Sequence, residues 1–263
     1  MNVGILERLL LERFPAEDAE DWDFTGITVG DPNAAVTGVA VALDQTAEAV
    51  RQAADAGASV LVTHHPTYIS PPSKVKPAPF AVGPGTVVWE AVRSGVALMS
   101  FHTALDVSPS AQKVLPEKLG LELTGLLQPL PGRPQKGYGH VCQAPRGMTL
   151  EKLARVCEKE LGRAPRVWGR SDLPLSSVAC ATGSAGSVAR DCLKAGVDCL
   201  ICGELKYHES LDLLHGGLAI VELGHDVSEL PFVELLRVAV EQAGVPKDRI
   251  VVVDQSFNWT CWS

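Results

Sequence analysis

The chain has 263 residues, 46% of them apolar and 21% charged, which supplies a sizeable core and excludes intrinsic disorder. A formal net charge of −8 argues against a broad basic face for long duplex nucleic acid, while leaving room for a local cationic pocket. No apolar run approaches the roughly 18 residues of a membrane span, and the opening stretch through Phe14 mixes acids and bases with its apolar positions, so neither a secretory signal nor membrane association is expected.

Ile5–Phe14 is apolar enough to pack on a sheet. Val36–Leu43 is the first expected strand, and Asp44 or Thr46 caps a helix that runs to about Ala56 and closes at Gly57. Ser59–Thr63 is a second strand. Six prolines between residues 66 and 84 then define a long loop, and Val96–Phe101 is a third strand. Residues 128–137, QPLPGRPQKG, have the composition of a linker between a first α/β half and a second that starts near Tyr138. There Thr149 caps a helix over Leu150–Leu161, with Leu150, Leu153, Ala154, Cys157 and Leu161 on one face and Gly162 after it. A strand at Ser177–Ala181, a helix at Ser187–Ala195, and strands at Val197–Cys202 and Leu218–Leu223 follow. After Pro231, Phe232, Leu235, Leu236, Ala239 and Val240 recur at helical spacing, and Ile250–Val253 is the last strand. The strands are short, rich in Val, Ile, Leu and Ala, and lack polar alternation, as strands buried on both faces of a parallel sheet do. Their alternation with helices gives an α/β fold class built from βαβ units.

The seven cysteines are odd in number and scattered, and read as reduced thiols of a cytoplasmic protein. Cys199 and Cys202 form a C-x-x-C inside an apolar run with no second pair at matching spacing, so a buried strand is the better reading than zinc or redox chemistry. The tail from Phe257 to Trp262 is aromatic and either folds back or buries in a subunit contact, the contact being favoured.

Histidines follow three expected strands. His64 and His65 come after Thr63, His102 after Phe101 with Asp106 four residues on, and His225 after Leu223-Gly224 with Glu229 four residues on. The carboxyl edge of a parallel sheet is where ligands bind, and side chains from separate strand ends can converge there. Neutral imidazole and carboxylate suit Zn²⁺, Fe²⁺ or Mn²⁺. Adjacent residues point to different sides of the chain, so His64 and His65 reach two nearby cations more easily than one, which argues for two divalent ions per subunit. Three imidazoles and two carboxylates leave such a pair net positive, with open positions for water and an anionic substrate. The bland alternative for any one of these histidines is a satisfied core residue, and that reading is preferred for His140 and His215.

The stretches Thr63-His64-His65-Pro66, Phe101-His102-Thr103-Ala104-Leu105-Asp106 and Gly224-His225-Asp226-Val227-Ser228-Glu229 resemble the three metal-site motifs of the NIF-three-like family, whose bacterial YbgI-like members carry the label GTP cyclohydrolase I type 2 homologue. Trp22-Asp23-Phe24-Thr25-Gly26, Ala42-Leu43-Asp44-Gln45-Thr46, Thr182–Ser187 and Gly203-Glu204-Leu205-Lys206-Tyr207-His208 look like it too, so the resemblance runs through most of the chain. It implies two interlinked α/β domains with mostly parallel sheets, a dinuclear centre and a toroidal homohexamer. The expected division is 1–127 with about 220–263 for the metal-site domain and 128–219 for the second. Carried over, the metal ligands are His64, His65, Asp106, His225 and Glu229, with His64 and Asp106 on one ion, His65 and His225 on the other, and Glu229 shared. His102 lies in or beside this shell. Departures from the pattern are Ala104 in place of the usual Asn, Val107-Ser108-Pro109-Ser110 in place of a Gly-rich turn, and Asp226 where Tyr or His is common.

The expected function is hydrolysis of a nucleotide or related phosphoester by a metal-activated hydroxide, with His102 or His208 assisting proton transfer. Hydrolytic opening of the guanine ring of GTP is an alternative, and a non-catalytic metal-binding, metal-delivery or adaptor role is another. The Thr182–Ser187 loop offers a helix N-terminus to a phosphate or is a plain turn. Lys206 and His208 contact the anion or merely cap the following helix.

Overall fold

The computed structural model describes residues 1–77 and 83–259, so Pro79 of the proline-rich loop and Cys261 and Trp262 of the tail lie outside the described residues. In chain order the elements begin with α1 (Val3–Leu11), β1 (Gly26–Val29), β2 (Val39–Ala42), α2 (Ala47–Asp55), β3 (Val60–Thr63), α3 (Pro84–Ser94) and β4 (Ala97–Ser100). Next come α4 (Thr103–Asp106), α5 (Ala111–Lys118), β5 (Glu122–Leu130), β6 (Arg133–Gln143), α6 (Leu150–Leu161), β7 (Arg166–Trp168) and β8 (Ser177–Ser184). The chain continues with α7 (Gly186–Ala195), β9 (Cys199–Glu204), α8 (Tyr207–His215), β10 (Ala219–Glu222), α9 (His225–Glu229), α10 (Pro231–Gln242) and β11 (Ile250–Val252). Two compact units result: Met1–Leu105 with Phe232–Gln255, and Asp106–Pro231 with the chain from Ser256 on.

The first unit holds a five-stranded sheet in the order β1-β4-β3-β2-β11, parallel except for β1. Every residue of β2, β3 and β4 is buried, which is why these strands read as unbroken apolar runs. Val50 and Ala53 of α2 and Val87 and Ala91 of α3 pack with Leu61 and Leu98 in one core cluster. The Thr46 hydroxyl accepts from the Ala49 amide at 3.0 Å and caps α2, as the sequence predicts.

The second unit holds a six-stranded sheet in the order β5-β6-β8-β9-β10-β7. Only β8, β9 and β10 are mutually parallel. Helices cover both faces: α6 packs Leu150, Leu153 and Cys157 against Cys199 and Ile201, while α7 and α8 pack Ala189, Cys192 and Leu213 against Leu200 and Cys202. Cys199 and Cys202 are three apart in a strand of period two, so they face opposite cores and share neither a metal nor a disulfide. Burial pushes both thiols up from their ordinary range; it pushes the Cys157 thiol up to about 12.

Residues 128–137 are not a linker. They form the hairpin of β5 and β6, pairing Gln128 with Tyr138 and Leu130 with Arg133 across a turn at Pro131-Gly132, where Gly132 takes φ +71°. Their polar and proline-rich composition reflects a hairpin tip in which only Gly137 is buried. No helix among the described residues is long and apolar enough to cross a membrane.

Candidate metal centre

The donors of the first unit stand at the carboxyl ends of its parallel strands. His64 and His65 leave β3 and His102 leaves β4. Their ring centroids lie 4.7 Å (64–65), 5.2 Å (64–102) and 5.5 Å (65–102) apart, and each offers a nitrogen within 4.8 Å of the other two. His64 is fully buried and its ring packs edge-on against Phe232 at 5.2 Å.

Each ring is oriented through Nδ1. His64 Nδ1 meets the Phe101 carbonyl at 3.1 Å, His65 Nδ1 the Asp44 carboxylate at 2.8 Å, and His102 Nδ1 the Asp23 carboxylate at 3.2 Å. An acceptor at Nδ1 keeps the proton of the neutral ring there and makes Nε2 the nitrogen that would bind a cation. Asp44 stands just past β2. Asp23 reaches the site because β1 runs antiparallel to β4 and pairs Gly26 with Ser100, which brings the chain entering β1 alongside the end of β4. Burial pushes the Asp23 carboxyl up, but hydrogen bonds from His102 and from the Thr103 hydroxyl and amide outweigh it and hold the group below the usual carboxylate range. It therefore stays an anionic acceptor for His102.

The second unit repeats this logic on its own parallel strands. His225 follows β10 across Gly224, and its Nδ1 meets Glu204, the last residue of β9, at 3.0 Å. Its Nε2 lies 3.2 Å from Glu229 Oε2 one helical turn on. Two donors about 2.1 Å from a single ion sit roughly 3 to 3.4 Å apart, so this spacing suits a shared cation. Glu229 is almost fully buried and is backed by Gly183 at the end of β8, where φ is +59° and any Cβ would collide with Glu229 Oε1. The Gly183 amide donates to Ser228 Oγ at 2.9 Å, tying the strand end to α9. The Thr182–Ser187 stretch, expected as a phosphate seat or a plain turn, thus supplies the floor under Glu229. Asp106 is half-buried at the end of α4, four residues beyond His102.

Imidazoles pre-oriented through Nδ1, and the buried Glu229 carboxylate beside His225, fit a borderline divalent cation such as Zn²⁺, Fe²⁺ or Mn²⁺. His208 is exposed on the first turn of α8, with its ring edge-on to Tyr207 at 5.2 Å, and belongs to no three-donor cluster among the described residues. The sequence does not show Asp23, Asp44 and Glu204 as orienting groups; each lies in a stretch that resembles the family, Asp44 as a candidate helix cap and the other two with no role. Of the departures from the family pattern, Ala104 is buried, and Ser108 of the altered turn accepts from the Ala111 amide at 3.2 Å at the start of α5.

Residues 1–256 match the profile of the Duf34/NIF3 (NGG1p interacting factor 3) family. A Streptomyces coelicolor protein named GTP cyclohydrolase 1 type 2 homolog is 33% identical over 229 residues, covering 84% of this chain and 79% of that protein. A Clostridium acetobutylicum protein of the same name is 29% identical over 238 residues, covering 89% and 88%. The solved structure of Staphylococcus aureus hypothetical protein SA1388 matches with a TM-score of 0.87 at 22% identity, over 100% of this chain and 99% of that one.

Proposed function

The chain belongs to the Duf34/NIF3 family, and we propose that it is a cytoplasmic metal-dependent hydrolase of a nucleotide or related phosphoester. In this reading His64, His65, Asp106, His225 and Glu229 hold two divalent ions, in a homohexamer. The observation that carries it is the common orientation of His64, His65, His102 and His225, each ring set by an acceptor at Nδ1. Four rings oriented the same way at strand ends support a metal reading over four separately satisfied core histidines. When bound, such ions acidify a coordinated water and offset the charge that develops on a phosphoryl group. His102, held through Asp23, is the proton-transfer group; His208 is the second candidate for that role.

The names of the relatives favour a second reading, ring-opening hydrolysis of GTP. One experiment separates the readings. The purified chain is loaded with Mn²⁺, Fe²⁺ or Zn²⁺, its metal content and mass in solution are measured, and it is given a nucleotide panel. Two ions per subunit, a hexameric mass and phosphate release that His65→Ala abolishes support the proposal. Formate release from GTP selects ring opening. Full loading with neither product leaves a binding or delivery role, and absence of loading overturns the metal reading.

A further inference from the structure

Asp226, where the family pattern commonly has Tyr or His, and the aromatic tail are two features that the metal site does not absorb. The structure joins them. Arg163 Nη1 donates to both Asp226 oxygens, at 3.2 and 3.0 Å, and its Nη2 donates to the Ser256 carbonyl at 2.9 Å. The guanidinium lies 3.9 Å over the Trp259 ring, and Trp259 Nε1 donates to Asp226 Oδ1 at 3.0 Å. The side chains of Arg163 and Asp226 are only 10% and 14% exposed, so this is a partly desolvated pair and not a surface contact. The indole also fills the space beside Gly224, where φ is +101° and a Cβ would approach Trp259 to 2.7 Å.

These contacts bracket His225 in sequence, at Gly224 on one side and Asp226 on the other. That matters because His225 has the most exposed side chain of the oriented histidines, 39% against 18% for His65 and 19% for His102. Its helix α9 has five residues and no side-chain N-cap, too short to hold its own geometry. Its side chain is 39% exposed, and its Nδ1 partner Glu204 is 53% exposed, so that hydrogen bond competes with water. His64, by contrast, is buried in its core. We propose that Trp259, Arg163 and Asp226 form a clamp by which the C-terminal segment positions the imidazole of His225 for its cation. Trp259 and Arg163 are positioning residues in this scheme and touch no substrate. The inference rests on the metal reading of His225, and its test has one arm that does not.

In that arm, long-range proton–nitrogen spectra of the imidazoles are recorded on the metal-free full chain. Trp259→Ala shifts or broadens the His225 ring signals and leaves those of His64 unchanged, whereas a purely structural tail leaves both alone. In the second arm, Zn²⁺ affinities are measured by competition with a chelator, with the thermal midpoint of each metal-free variant as the folding control. Trp259→Ala and Asp226→Asn weaken one of two affinities about 10- to 100-fold and leave the other within about two-fold. Trp259→Phe keeps a ring over Arg163 but loses the Nε1 donor, and falls between them and the wild type. It also serves if Trp259→Ala fails to fold. Unchanged His225 signals in Trp259→Ala, or wild-type affinities in all three variants, overturn the clamp. A wild-type chain that binds no Zn²⁺ while Trp259→Ala still moves the His225 signals overturns the metal reading alone.

Discussion

The smallest decisive features are single hydrogen bonds to Nδ1. A histidine in a core can adopt either tautomer and several ring orientations; an acceptor at one nitrogen selects one of each. His65 shows the consequence, since Asp44 is its orienting partner at 2.8 Å and lies on a different strand end. Asp44→Ala removes that acceptor without touching a proposed ligand. The expected outcome is a fall in affinity of roughly 10- to 100-fold for one ion in a chelator competition, with folding retained. The histidines and their metal-ligand chemistry are legible from residue type and position after apolar runs. Their orienting carboxylates are not, because Asp23 and Asp44 are brought to His102 and His65 only by strand pairing across 79 and 21 residues of sequence.

At the level of elements, helices announce themselves through their ends. Thr149 before Leu150–Leu161 predicts a capped helix closed by Gly162, and the structure shows the Thr149 hydroxyl accepting from the Lys152 amide, with Gly162 in the left-handed region. Thr149→Ala is expected to cost about 1 kcal/mol, read as a lower urea midpoint at unchanged slope. Parallel strands are equally plain, because burial on both faces removes polar residues from them. The antiparallel strands β1, β5, β6 and β7 escape the same reading. An edge or hairpin strand keeps one face or one side in water, so its composition converges on that of a loop, and 128–137 therefore looks like a linker when it is a hairpin.

For the molecule as a whole, stability follows pH through a histidine outside the candidate site. His140 of β6 is buried, and burial pushes its pKa down to about 4, against a small opposing effect of the Gly137 backbone. The unfolded chain titrates this group near 6.5, so between pH 6.5 and 4 it takes up a proton that the folded chain refuses. The stability associated with neutral His140 is full above about 6.5 and is lost as pH falls toward 4, by up to roughly 3 kcal/mol. Urea unfolding at pH 7 and pH 4.5 measures the loss, and His140→Gln is expected to flatten it.

The division between sequence and tertiary structure follows from range. Hydrophobic periodicity and capping are local, so the chain by itself determines an α/β fold, the helices α2, α6, α7 and α10, its parallel strands and the donor types at their ends. Register and strand order are non-local: they depend on which apolar faces fit and which backbone groups pair. Only the tertiary structure therefore decides that QPLPGRPQKG is a hairpin, that Asp23, Asp44 and Glu204 orient the imidazoles, and that Trp259 closes on Arg163 and Asp226 beside His225.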